Sequence, residues 1–466
     1  RPGEKNGLLT NMIPGQGADI FEKVRNATVG QVDQVVPDDF NDFGPRLGVS
    51  WDPRGAGKLV VRGGYGIMYE RLFNNSITNI RFNPPFYSFT VASPVFVAAH
   101  AGIPIAYGPR NPDGTLNPNA AIRITGENKN IGVSPAVGLV GNIVGWNPRF
   151  GTSQQSLRVP DMFGSDAYSH NWFVGTQVEL PWETAFEANY VGNVGRNFGR
   201  LVDYNTARGD LFDGRLDRLN PTFGGINFRA MIVHTRYHGG QFQLNKRFSR
   251  GFSGQVAYTV GKALDNGSDV QVAGFPVDAR ALDLEWGPSD FDVRHRFVAN
   301  WLWELPFFGE ATGLKGFLLG GWQINGITQF QSGFPFSVFT SLAYPRGDFN
   351  GDGVRNDRPN MPSFGLKPPD TSKQAYINGL FKAADFPQTG FVLGDLPRNA
   401  YRGPGYSSTD LSLFKNFRFR NDMRIQFRAE AFNLFNRVNL RLPVGNLASP
   451  TFGQSTQAFP ARAIQF

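Results

Sequence analysis

Apolar and polar side chains alternate along most of this chain with a period of two. Between residues 422 and 431, Met423, Ile425, Phe427, Ala429 and Ala431 share one phase, and Arg424, Gln426, Arg428 and Glu430 share the other. An extended strand sends successive side chains to opposite faces, so this segment has one apolar face and one charged face. The pattern recurs on stretches long enough to cross a bilayer. A closed barrel with lipid outside and water inside requires that arrangement.

The alternation returns in pairs that predict five hairpins and a last short strand. The first runs from about 45 to 70, with Leu47, Val49 and Trp51 in one phase, a strand-stopping turn at Asp52–Gly57, and Leu59, Val61, Tyr65, Ile67 and Tyr69 on the return. The second, near 170–194, carries Trp172, Val174, Val178 and Leu180, turns at Pro181-Trp182-Glu183, and returns with Phe186, Ala188 and Tyr190. The third, near 232–263, sets Phe242, Leu244 and Phe248 before the turn Ser249-Arg250-Gly251 and Phe252, Val256, Tyr258 and Val260 after it. The fourth, near 293–333, has Phe297, Ala299, Trp301 and Trp303, a turn containing Pro306 and Gly309, then Trp322, Ile324, Thr328 and Phe330. The fifth, near 407–435, turns at Arg420-Asn421-Asp422 and places Lys415 on its apolar phase, as expected of a lysine that snorkels at an interface. Ile464-Gln465-Phe466 forms an eleventh, short strand.

Short turns close the hairpins, whereas loops of roughly 25 to 100 residues join one hairpin to the next, and loops of that length are often functional. The longest, after the first hairpin, contains Pro84-Pro85 and Asn111-Pro112. Outer-membrane barrels place short turns in the periplasm and long loops outside. The expected fold is therefore all-β: a partial antiparallel transmembrane barrel in the bacterial outer membrane. Trp301, Trp303, Trp322 and Tyr406 are candidates for its interfacial belts.

Composition agrees. The chain has 466 residues with 56 Gly, 43 Phe and no Cys, which excludes disulfides and thiolate metal sites. Its mean hydropathy of -0.29 is compatible with a membrane barrel, which spreads its apolar residues over alternate positions. The net charge of +8 comes from scattered Arg and Lys with no block or stripe, so no nucleic-acid partner is expected. A barrel must be exported, yet Arg1-Pro2-Gly3-Glu4 shows neither a start Met nor a signal core, which reads as a piece of a longer protein. The odd strand number and the short last strand point the same way. Residues 1–44 are then part of an extracellular loop, and 45–466 the C-terminal part of the barrel.

Six motifs carry a family resemblance: Phe43-Gly44-Pro45-Arg46-Leu47-Gly48, Val61-Arg62-Gly63-Gly64-Tyr65-Gly66, Gly287 to Phe297 (GPSDFDVRHRF), Gly320-Gly321-Trp322-Gln323-Ile324, Asn356-Asp357-Arg358-Pro359, and Arg428 to Asn436 (RAEAFNLFN). In order and spacing they resemble the C-terminal barrel of TonB-dependent receptors of the Oar-like group, over roughly 43–466. The resemblance implies a barrel of roughly 22 strands with an N-terminal plug. A TonB-type inner-membrane complex would drive uptake or export of a large solute, acting through a plug region that these residues do not show. A passive porin or a surface adhesin is the alternative. A soluble propeller would repeat every 40 residues or so, and the spacing here is irregular.

Of the local motifs, Asp348-Phe349-Asn350-Gly351-Asp352-Gly353-Val354-Arg355-Asn356-Asp357 starts as a calcium loop does. It has side-chain oxygens at positions 1, 3 and 5 and Gly at 6. The candidate ligands are Asp348, Asn350, Asp352, the Val354 carbonyl and Asp357. Pro359 stands where the bidentate Glu belongs, so a weak Ca2+ site that stiffens an external loop and a plain Asp/Asn/Gly turn both fit. No other cofactor is required. Asp283, Glu285, Asp290 and Asp292, near Arg294 and Arg296, read as a charge network at the barrel mouth. His234 and His238 on one strand lie about 13 Å apart, too far to share an ion. Gly63-Gly64-Tyr65-Gly66 lacks the third glycine of a dinucleotide site, and no G-x-S-x-G elbow occurs. No catalytic residues are expected, and the chain is not expected to be an enzyme.

Overall fold

The computed structural model describes residues 10–32, 35–36, 39–70, 78–83, 156–269, 274–308, 311, 313–387, 392–418 and 423–466. Eleven strands form the main path of its 13-stranded sheet, whose other two are the short Leu157–Pro160 and Gly287–Pro288: β1 (Arg46–Trp51), β2 (Leu59–Tyr69), β3 (Tyr168–Leu180), β4 (Thr184–Asp203), β5 (Ile226–Ser249), β6 (Phe252–Asp265), β7 (His295–Glu304), β8 (Trp322–Gln331), β9 (Tyr406–Arg418), β10 (Arg424–Phe432) and β11 (Ala463–Gln465). Each pairs antiparallel with the next, so the sheet is an up-and-down meander running from β1 to β11, unclosed at both ends among the described residues.

Register keeps the two faces apart. Val178, Phe186, Leu244, Val256, Ala299, Thr328 and Thr409 follow one another across strand pairs on one face. One residue along, Gln177, Glu187, Gln243 and Ala257 do the same on the other. A slip by one residue would turn every lipid-facing side chain into the lumen, so the alternation itself specifies the pairing. Val174, Phe242, Leu244, Phe252, Val256 and Ile425 remain exposed on the apolar face, as a lipid-facing surface requires.

Two aromatic levels bound this face. At the short-turn end stand Trp182 in its turn, Trp303 and Trp322, with the Lys415 Nζ between the Trp322 and Phe417 rings donating to the Gly320 carbonyl. Lys415 is thus buried under aromatic rings at the boundary and does not reach out to water. At the other end three Tyr–His pairs recur across neighbouring strands: Tyr65 with His170 (2.7 Å), Tyr190 with His238 (2.6 Å) and Tyr258 with His295 (2.8 Å). His238 and Phe248 on β5 are about ten residues apart. At about 3.4 Å per residue and a tilt of about 40°, that spans roughly 25 Å, the height of an outer-membrane apolar band. Tyr406 departs from its expected place: it lies on the polar phase, opposite Gln331 and against Phe459.

The turns follow local chemistry. The Asp52 carboxylate accepts the N–H groups of Arg54, Gly55 and Gly57, and Arg250 and Gly251 close a two-residue hairpin with φ of 51° and 79°. The connection after Pro306 contains a short helix, Gly313–Leu319, where a plain turn was expected. Its Leu314, Leu318 and Leu319 stay exposed, as suits a helix lying at a membrane surface. Gly309, the turn Arg420-Asn421-Asp422, Pro84-Pro85 and Asn111-Pro112 lie outside the described residues.

A Cβ on Gly326 would stand 2.6 Å from the Trp301 ring, which covers it. Gly326→Val should displace that ring, lower urea stability by about 1–3 kcal/mol and shift tryptophan emission. Unchanged emission would show that the ring does not lie there.

The buried core of the described residues lies at the long-loop end, beyond the apolar band. β4 and β5, with 20 and 24 residues, run past the apolar band into a first cluster of Met12, Val24, Leu157, Val159, Tyr204, Phe223, Ile226 and Phe228. Residues 10–31 supply part of it, as a strand pair (Thr10–Ile13 with Thr28–Gln31) around a helix, Ile20–Arg25, capped by Asp19. A second cluster joins Phe336, Tyr376, Phe381, Phe386, Tyr401 and Phe452 from the loops after β8 and β10.

Candidate functional site

Between these clusters, the ends of β4 and β6 meet the loops 266–294 and 332–405. Glu285 is buried there, accepting from Arg200 at 2.8 Å, from Arg358 at 2.9 Å and from the Val277 N–H at 3.2 Å. Burial alone would raise its pKa, but the guanidinium groups of Arg358 and Arg200 outweigh that and hold it at about 2. Arg358 also donates to the carbonyls of Leu396 and Leu284.

Arg398 spans a second set of oxygens: Asp265 at 2.6 Å, Ser268 Oγ at 2.7 Å and Asp290 at 3.0 Å. Asn399 donates to the same Asp290 carboxylate at 2.6 Å. Asp292 is buried, pairs with Arg402 and, at 3.2 Å, with Arg294, and accepts the Ala263 N–H at 2.6 Å. A cleft of about 450 Å³ opens alongside, lined in part by Phe198, Tyr237, Asp265, Ser268 and Phe291; its Asp265 and Ser268 are already bonded to Arg398.

The acidic group expected at the mouth is thus a charge network in fact, built from Glu285, Asp290 and Asp292, while Asp283 stays exposed. Most of its cations were not legible in advance. Arg294 takes part, but Arg200, Arg358, Arg398 and Arg402 come from up to about a hundred residues away, and nothing in a one-dimensional pattern pairs them with particular carboxylates. The one available signal was that Arg358, Asp290 and Asp292 sit inside two of the motifs that carried the family resemblance, with Glu285 two residues before one of them. His234 and His238 share β5 without sharing a partner, and His238 is held by Tyr190.

The oxygen-rich loop adjoins the network. Asp348, Asn350, Asp352 and Asp357 are all buried, at 0–5% exposure, whereas a plain surface turn would leave them in water. Asp348 accepts the N–H groups of Asp352 (3.1 Å) and Gly353 (2.9 Å), and Asp352 accepts that of Val354 (2.9 Å). Asp357 accepts from Phe349 (2.7 Å) and Asn350 (3.2 Å) through Oδ2, while its Oδ1 has no hydrogen-bond partner. Burial, reinforced by the neighbouring carboxylates, pushes Asp352 up to about 7 and Asp357 up to about 8. A separate trio, Asp39, Asp42 and Asp166, brings oxygens within 4.8 Å of one another at an exposed or half-exposed position.

An antiparallel meander with one lipid-compatible face, an apolar band of bilayer height and its packed loops at one end defines an outer-membrane β-barrel protein. A family model described as an outer membrane beta barrel domain matches residues 1–465, and the chain belongs to that family, which places it in the bacterial outer membrane. A comparison with curated proteins gave no match. Among solved structures the chain is similar to the outer membrane transporter YddB from Escherichia coli (10% identity, 94% of this chain and 40% of that one, TM-score 0.44). It is also similar to the siderophore receptor PirA from Acinetobacter baumannii (10% identity, 91% and 40%, TM-score 0.37) and the ferric-catecholate import receptor Fiu from K12 E. coli (9% identity, 90% and 33%, TM-score 0.38). The chain spans about two fifths or less of the length of each.

Proposed function

We propose that this chain is the C-terminal part of the barrel of a TonB-dependent outer-membrane receptor, which moves a solute too large or too scarce for an open porin. The observation that supports this best is the loop-side layer. All the long connections emerge at one end of the meander, and the described ones are packed and ion-paired into a fixed assembly. A passive pore gains nothing from such a layer, whereas a receptor needs a pre-shaped capture surface. The motifs behind the family resemblance, around Asp290 and Arg358, are the ones that tie this layer together. Energy coupling would come through a plug region outside this chain, and the chain itself would do no bond-breaking chemistry.

The test is the coding sequence on either side. An upstream export signal, a TonB-box-like stretch, a plug and about eleven more strands would bear the reading out. An export signal directly before Arg1, with a stop codon after Phe466, would overturn it in favour of a passive barrel or an adhesin. The chain alone should fail to refold as a stable monomer, because β1 and β11 would each present an unpaired edge to lipid. A discrete, heat-modifiable monomer band after refolding in detergent would contradict that.

A further inference from the structure

The loop 348–357 buries four oxygen-bearing side chains, Asp348, Asn350, Asp352 and Asp357. Among the described residues, no Arg or Lys makes an ion pair with Asp348, Asp352 or Asp357. Arg355 and Arg280 act on Asp348 and Asp352 only from beyond ion-pair distance, and three carboxyl groups buried without an ion pair are costly to ionise. The independent pointer is Asp357: fully buried, held through Oδ2, with Oδ1 unpartnered and the carboxyl near enough to Asp352 and Asp348 to feel their charges. A buried oxygen without a donor calls for an ion or a water. Gly351 and Gly353, at φ of 65° and 90°, let the chain wrap tightly around the side chains of positions 1, 3 and 5.

We propose that this loop binds one Ca2+ through Asp348, Asn350, Asp352, the Val354 carbonyl and Asp357, and that the ion clamps three loops together. A hard cation with all-oxygen ligands fits the donor set, and calcium's tolerance of irregular geometry fits a loop without the bidentate Glu. The clamp follows from what the loop holds. Its Asn350 and Gly351 carbonyls accept the N–H groups of Gly209 (2.7 Å) and Leu211 (2.9 Å) from the loop after β4. The Asn350 side chain donates to the Val277 carbonyl (3.0 Å) in the loop after β6, and the Asp357 carbonyl accepts from Thr340 (3.0 Å) at the start of its own long loop. The loop carboxylates stand wider apart than those of Asp39, Asp42 and Asp166. Ca–O distances of about 2.3–2.6 Å therefore require the ion to draw them inward, and ordering of the three loops should accompany binding.

The inference is independent of the TonB reading, since any barrel with these loops would show it. The complete gene product, purified in detergent and stripped with EGTA, would be titrated calorimetrically with CaCl2 and, separately, MgCl2. It would also be digested with trypsin with and without about 5 mM Ca2+, above the roughly 10⁻⁴–10⁻³ M typical of extracellular calcium modules. One calcium site is expected, with little magnesium binding and at least ~10-fold slower cleavage within 204–225 and 332–405. Asp352→Asn should weaken calcium binding ~10-fold or more yet be no more trypsin-sensitive than the stripped parent, because it removes a repelling charge. Asp39→Asn should leave binding unchanged. No heat of binding and no protection of the parent protein would overturn the proposal, and that measurement needs no variant. Loss of binding in Asp39→Asn with retention in Asp352→Asn would overturn it as well, placing the ion at the other trio.

Discussion

Glu285→Gln should destabilise the loop-side layer by about 3–5 kcal/mol, the usual result of removing one partner from a buried ion pair. The substitution keeps the shape and takes away the charge. Arg200 and Arg358 would then lie buried against a neutral amide, each having traded its hydration for a carboxylate that is no longer there. Because Arg358 also fastens Leu284 and Leu396, the loss should appear as release of the loops 266–294 and 332–405, with the sheet intact. Limited proteolysis over a urea series at pH 7 would register it, and an unchanged urea midpoint for loop cleavage would refute it. The pH dependence follows from the sign of the shift. The Glu285 pKa is lowered on folding, from 4.5 to about 2, so its contribution is fully present above about pH 4.5 and is lost as pH falls through 2. That is about 3 kcal/mol in the parent protein, and the Gln variant should lack this acid-dependent component.

Leu244→Arg should cost about 2–4 kcal/mol in a lipid bilayer, whereas Gln243→Arg, one residue away, should cost little. Leu244 sits near the middle of the apolar band, between Phe186 and Val256 on the face exposed to lipid. Gln243 lies on the opposite face, where its side chain bonds to Asn245 and an arginine would meet water and other polar groups. The comparison is made on the complete gene product, refolded into vesicles and unfolded in urea. Equal effects at the two positions would mean that the face assignment is wrong.

The sheet was legible in the sequence, and the charge network was not, for a physical reason. Strand periodicity is local: the phase of Leu244 relative to Gln243 is set by backbone geometry alone, so the five hairpins, the eleventh strand and the two faces could be read by counting in twos. The Asp52 and Arg250-Gly251 turns were legible in the same way, since their residue types encode their bends. The helix at Gly313–Leu319 was not anticipated: it is too short for a helical period to stand out, and its apolar residues answer to a membrane surface that no neighbour in sequence reveals. Tyr406 was misplaced because an aromatic at a strand end satisfies both a belt and a lumen, and only register with Gln331 chooses between them.

The sequence by itself determined the class of protein, through alternation, strand length and the order of the resemblance motifs. It also singled out the loop for which calcium binding is proposed, because ligand spacing within ten residues is a local property. Tertiary structure alone decided that Arg200, Arg358, Arg398 and Arg402 face Glu285, Asp265, Asp290 and Asp292, and that Asp357 is buried with an oxygen to spare. Burial and charge pairing between distant segments depend on which loops the sheet brings to one end. Electrostatic energy falls with distance in space and has no relation to distance along the chain, so those contacts exist only once the meander has formed.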